Sequence, residues 1–174
     1  MKIPKKYKHD VVFFLTRRLI GFFNAIPRKT ALFIGSVLGL AAWGLLKKER
    51  YRTIRHLGLA YNDALSLNEM NRIGREFFVN SGKNLIDIIR TRHHFHTEIK
   101  QLVEVEGLEH FDRAYRKGNG LIGITGHLGH FELLAVHIAN LGYRIAVIGR
   151  ELYDSRMDRY LVENREAMGL VNIA

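Results

Sequence analysis

The 174 residues, 47% of them hydrophobic, suffice for one domain with a real core, and two domains are not expected. Against 17 Asp and Glu stand 27 Lys and Arg, a formal net charge of +10 that favours anionic partners such as phospholipid headgroups, phosphorylated glycolipids or nucleic acid. No cysteine is present, which excludes disulfides, Cys-ligated zinc and a thiol nucleophile.

The first apolar cluster, Val11 to Leu15, follows Lys2, Lys5, Lys6 and Lys8 and is cut short by Arg17 and Arg18. That interruption, with no small-residue cleavage pattern behind it, argues against a removable signal peptide. Residues 10–26 predict an amphipathic or membrane-inserted helix, with Phe13, Phe14, Phe22 and Phe23 entering the lipid interface and the arginines meeting phosphates. Thr30 to Leu46 then carries no charge, but it falls short of the roughly 20 apolar residues of a span. Its Gly35, Ser36, Gly39, Ala41, Ala42 and Gly44 suit close helix packing, so the expectation is a helix packed against the domain or lying in the interface, with a single span as the lesser alternative. The cations that follow, Lys47, Lys48, Arg50 and Arg52, point to the cytoplasmic side of a membrane.

Residues 50–92 have helical periodicity, broken by a turn at Asn62 and Asp63. Ser66-Leu67-Asn68-Glu69 has the form of a capping box, and Met70, Ile73, Phe77, Phe78, Leu85, Ile88 and Ile89 recur at core spacing after it. The trio His93, His94 and His96 reads as a solvated loop rather than a metal site, since no further ligand spacing completes it. Val103 to Val105 alternates with Glu104 and Glu106 and predicts a strand; residues 107–116 predict a helix.

Leu121 to Thr125 is an apolar run that predicts a buried strand, and Gly126-His127-Leu128-Gly129-His130-Phe131-Glu132 follows as a new helical pattern begins. The helix extends to Leu141, with Gly142 at its C-terminal stop. Residues 144–149 predict the next strand, Ser155 to Met168 a helix and Leu170 to Ile173 a last strand. The expected fold class is therefore α/β: N-terminal membrane-associated helices over residues 1–48, then a domain over 49–174 with a partly parallel sheet flanked by helices.

The 126–132 heptapeptide resembles the His-x4-Asp/Glu motif of the glycerolipid and lipid A acyltransferase superfamily. It is most similar to the lipid A biosynthesis lauroyl and myristoyl acyltransferases, whose usual form is His-Phe-Gly-Asn-Trp-Glu. Residues 50–61, ending His-Leu-Gly-Leu-Ala-Tyr, resemble that family's Arg-rich helix, and Phe77 to Leu85 its next helix. Val147 to Arg150, then Met157-Asp158-Arg159, with Arg165 and Gly169 as Arg-x3-Gly, resemble the segment after the motif. The likeness covers most of residues 12–174, with His56, His130 and Phe131 as departures. The family continues with further strands, a Gly-rich segment and an Asp-Gln pair, so the resemblance implies a chain incomplete at its C-terminus.

The resemblance implies a membrane-associated O-acyltransferase that moves a fatty acyl group from an acyl-carrier-protein or coenzyme A thioester to a hydroxyl of a lipid A precursor or similar glycolipid, at the cytoplasmic face of the bacterial inner membrane, without a cofactor or metal. His127 is then the expected general base and Glu132 its orienting carboxylate, a division of labour that proton removal from an attacking hydroxyl itself requires. Five residues of regular helix advance about 500°, so His127 has to sit at or before the first turn for the two to meet. Arg150, at a strand end, is a candidate for phosphate or carboxylate contact, and Arg165 either does the same or pairs with Glu163 or Glu166 on the surface. His130 is expected as a polar wall residue. Rival readings are a lysophospholipid or other glycolipid acyltransferase using the same pair, and a non-catalytic basic membrane-binding module. Nucleic-acid binding ranks third, as no recognised motif accompanies the charge.

Overall fold

A computed structural model describes residues 5–173, with side chains from residue 10. The chain is mostly helical with one small parallel sheet, and it divides into two compact units, the first ending at Arg90 and the second beginning at Thr91.

Unit 1 holds α1 (Lys5–Ala25), α2 (Arg28–Leu45), α3 (Lys47–Ala60) and α4 (Leu67–His94) up to Arg90. Pro27 closes α1 and opens α2, its carbonyl accepting from Ala31 N–H at 3.0 Å. At Leu46 (φ −88°, ψ 67°) the backbone leaves the helical region, and α3 departs from α2 at 90°. Asn62 and Asp63 take left-handed φ values of 50° and 55°, which short polar side chains tolerate, and Asp63 N–H reaches back to Gly58 O at 2.8 Å to end α3. The capping box forms as its sequence predicts: Ser66 N–H and Oγ–H donate to Glu69 Oε2 at 2.8 and 2.6 Å, and Glu69 N–H returns to Ser66 Oγ at 3.3 Å.

The small residues of α2 meet α4 backbone to backbone. A Cβ at Gly82 would stand 2.1 Å from Gly35 O, and one at Gly39 would stand 2.2 Å from Phe78 O. Ala31 and Ile86 close the same seam with Phe23. Phe23, expected in the lipid interface, is thus 5% exposed in the core of the unit, whereas Phe14 and Phe22 remain exposed. The Arg90 guanidinium reaches under α1, donating from Nη1 to Phe23 O and, at 2.8 Å, to Ile26 O. Arg28 forks onto Asp87 with bonds of 3.0 and 2.7 Å. Among the described residues no single helix is long and apolar enough to cross a membrane; α2 and α3 reach the length and composition of a broken span only as a bent pair.

Unit 2 begins with the last residues of α4 and continues through a π-helical turn, Phe95–Ile99, a 3₁₀ turn, Lys100–Leu102, α5 (Leu108–Tyr115), α6 (Glu132–Asn140), β1 (Ile145–Ile148), α7 (Ser155–Ala167) and β2 (Leu170–Ile173). His93, His94 and His96 therefore lie on helical turns and not in a loop: Phe95 and Ile99, at 0% and 3% exposure, draw this segment into the core and keep the backbone wound. The sheet pairs β1 and β2 in parallel, Ile145 opposite Leu170 through Ile148 opposite Ile173, with α7 as the crossover. Its core joins Val136, Met168 and Leu170 to Phe95 and Ile99. Asn140 Nδ2 ties the end of α6 to Met168 O at 3.3 Å, and Gly142, at φ 99°, makes the stop its sequence position predicts.

Two predicted strands are absent from the sheet. Residues 103–106 and 121–128 are irregular, and the sheet has only β1 and β2 among the described residues. Ile122 and Ile124 are 92% and 95% exposed, so the run that reads as a buried strand is open to solvent. An apolar run becomes a strand only on a neighbouring edge, and Gly120, Gly123 and Gly126 remove the side chains that would hold it there.

Gly82→Ala is expected to lower stability by about 1–3 kcal/mol through overpacking, whereas Gly44→Ala, whose Cβ would meet nothing within 4 Å, is expected to be neutral or stabilising; thermal unfolding followed by circular dichroism compares them. A second expectation concerns the N-cap of α7. Bonding from the Arg156 side chain, reinforced by Arg156 N–H, lowers the Asp154 carboxyl from 3.8 to about 2. This capping contribution is therefore complete above pH 3.8 and lost as pH falls through about 2. Asp154→Asn, which keeps an acceptor but cannot titrate, should flatten the acid limb of the stability profile in that window.

Candidate active site

His127 stands in the exposed segment before α6, and Glu132 is the first residue of that helix. The sequence requirement that His127 lie at or before the first turn is met in placement. Leu133 N–H to His130 O at 3.0 Å and Leu134 N–H to Phe131 O at 3.3 Å form the tight turn that starts α6. The His127 ring packs on Phe131, centroids 4.2 Å apart and tilted by 48°. Its nitrogens make no hydrogen bond among the described residues, so the imidazole faces solvent with both free to engage a ligand.

Glu132 is engaged elsewhere. Arg165 of α7 donates from Nη2 to Glu132 Oε1, with the two side chains 15% and 24% exposed. Nη1 of the same guanidinium donates to Asn172 Oδ1 of β2 at 2.8 Å, and Gly149 lies against it, since a Cβ there would approach Nη1 to 2.8 Å. One arginine thus joins the start of α6, the end of β1, the last turns of α7 and the middle of β2. The pairing with Glu163 or Glu166 weighed from sequence is replaced by Glu132, 33 residues away. Only folding supplies that partner; Asn172 carried no sequence signal either.

Arg150 follows Gly149 at the end of β1, fully on the surface, as a strand-end cation should. His130 is half-buried and shares a 2.7 Å hydrogen bond between Nε2 and Thr91 Oγ1. Arg165 Nε and His137 Nδ1 are buried without a hydrogen-bond partner, the latter on the core face of α6 beside Phe95. Among the described residues no group of three His, Asp or Glu side chains converges as a metal site. The arrangement offers an accessible imidazole, a carboxylate fixed by a guanidinium at a helix start, and a free cation at a strand end. No hydrogen bond or ion pair joins His127, Glu132 and Arg150 to one another among the described residues.

The family model of the bacterial lipid A biosynthesis acyltransferases matches residues 2–173. The chain belongs to that family. It is an acyltransferase, and its family makes a lipid acceptor and an acyl thioester donor the general substrate classes. Comparison with curated proteins and with solved structures gave no match.

A double-mutant cycle on Glu132→Gln and Arg165→Met tests whether the pair is energetically coupled in this acyltransferase. Both side chains are mostly buried, so a coupling of about 1–3 kcal/mol is expected in denaturant unfolding, with Arg165→Met the costlier single change because it strands a carboxylate. Strict additivity would reject the pair as a structural link.

Proposed function

We propose that this acyltransferase carries a fatty acyl group from an acyl-carrier-protein or coenzyme A thioester to a hydroxyl of a lipid A precursor or similar glycolipid, with His127 as general base. The observation that carries this reading is the accessible imidazole of His127 immediately before the helix that Glu132 begins. In the reaction the acceptor hydroxyl attacks the thioester carbonyl carbon while an imidazole nitrogen of His127 takes its proton. The carbon–sulfur bond then breaks, and the proton passes from the imidazolium to the departing thiolate. No acyl-enzyme is needed, and no cysteine is present to form one.

Glu132 serves this cycle as the carboxylate that orients the imidazole and stabilises its protonated form. Its Oε1 is held by Arg165, which leaves Oε2 for the His127 N–H in this scheme. Arg165 is a positioning residue in this scheme. Arg150 supplies a guanidinium for an acceptor phosphate, and His130, braced by Thr91, walls the site. The working place is the cytoplasmic face of the bacterial inner membrane, reached through the exposed apolar residues of α1 and α2, among them Phe14, Phe22 and Phe33, with Arg17 and Arg18 at lipid phosphates.

His127→Ala is expected to lower turnover by roughly 10²–10⁴-fold, read as acyl transfer from matched thioester donors to lipid A precursors and to lysophospholipids. Turnover within a few-fold of the unmodified protein would remove His127 from the mechanism. Transfer to lysophospholipid alone would keep the base and replace the acceptor.

A further inference from the structure

Unit 1 contains a groove of about 590 Å³ that the catalytic reading leaves unused. It is lined by Trp43 of α2 and by Arg72, Arg75, Glu76, Asn80 and Lys83 of α4. The α4 residues recur at three- and four-residue intervals and so form one strip along the helix. Arg72 is engaged with Glu76 at 3.3 Å, which neutralises the only carboxylate of the lining. Arg75 and Lys83 have no ion pair among the described residues, and Lys83 is half-buried, so the groove keeps two uncompensated cations, one of them partly withdrawn from water.

The side of the groove formed by Trp43 is closely packed. The indole packs edge-on against Phe78, centroids 5.3 Å apart, and lies so close to α4 that a Cβ at Gly74 would come within 2.8 Å of it. Leu40, one turn earlier on α2, is exposed, and Phe33 and Val37 continue the apolar surface from it. An indole between a cationic slot and an apolar helix face matches the boundary between headgroup and acyl chain.

We propose that this groove binds the phosphate of an anionic lipid headgroup, with Arg75 and Lys83 on the phosphate oxygens, Asn80 as a neutral donor and the acyl chains along α2. A tetrahedral phosphate accepts from a guanidinium fork and an ammonium at once, and a partly dehydrated lysine gains most from such a partner. The site belongs to unit 1 and His127 to unit 2, so the assignment stands or falls apart from the catalytic reading.

Trp43 is the only tryptophan of the chain, and its emission reads the groove directly. The full chain is titrated with phosphatidylglycerol–phosphatidylcholine vesicles, with pure phosphatidylcholine vesicles and with inorganic phosphate. A saturable emission change is expected with the anionic vesicles and not with the neutral ones. Arg75→Gln with Lys83→Gln is expected to raise the midpoint roughly tenfold or more, while Arg75→Lys with Lys83→Arg keeps it near that of the unmodified protein; far-UV circular dichroism confirms that each variant is folded. Saturation by inorganic phosphate but not by anionic vesicles overturns the lipid as the source. No saturable change, an unshifted midpoint in the double Gln variant, or an equal shift from Lys47→Gln with Lys48→Gln overturns the site.

Discussion

The close passage of α2 over α4 is the constraint on which unit 1 depends. Gly35, Gly39 and Gly82 bring two backbones so near that a single added methyl at Gly82 or Gly39 would overlap a carbonyl oxygen. Around that contact the rest is set: Ala31, Ile86 and Phe23 fill the space beside it, and Trp43 and Gly74 repeat the large-against-small pairing one stage further along. Trp43, packed on Gly74 and Phe78, lines one side of the groove on α4. Dispersion over such a seam is strong for its size, since the helices touch along their backbones rather than through long side chains.

In unit 2 the corresponding centre is polar. The Arg165 guanidinium meets Glu132 and Asn172 and leans on Gly149, so a single planar cation fixes three elements around the end of the sheet. Its consequence for chemistry is that Glu132 is rigid while His127 is exposed and its backbone glycine-rich. Glu132 is thus tied into the packed end of the sheet, while the His127 ring rests only on Phe131 in an exposed segment.

The fold is legible in the sequence where the determinants are local. The helices, the capping box at Ser66 and Glu69, the stop at Gly142 and the strands β1 and β2 all follow from periodicity or from residues a few positions apart. The string Gly126–Glu132 likewise was enough to point to the family whose model spans the chain. The sequence leaves the fold open where a partner comes from far away. Leu121–Thr125 has the composition of a strand but no edge to join, and Phe23 has the exposure pattern of a lipid-facing residue until Ala31 and Ile86 cover it. Arg165 and Glu132 are of opposite charge, as are Arg165 and Glu166; nothing in the sequence says that the distant acid wins. The motif singles out His127 and Glu132, and only the fold shows that Glu132 is held by Arg165.

The parallel register of β1 and β2 also bears on the order in which the chain organises itself. Ile145 and Leu170 are about 25 residues apart and joined through α7, whereas the contact of Gly35 with Gly82 closes a segment nearly twice as long. Loop-closure entropy favours the shorter circuit, yet synthesis delivers the longer one first. During translation α2 therefore emerges with its apolar surface uncovered and waits through the whole of α3 and half of α4 before Gly82 arrives. For that interval the face of α2 that later packs glycine to glycine has no α4 to cover it.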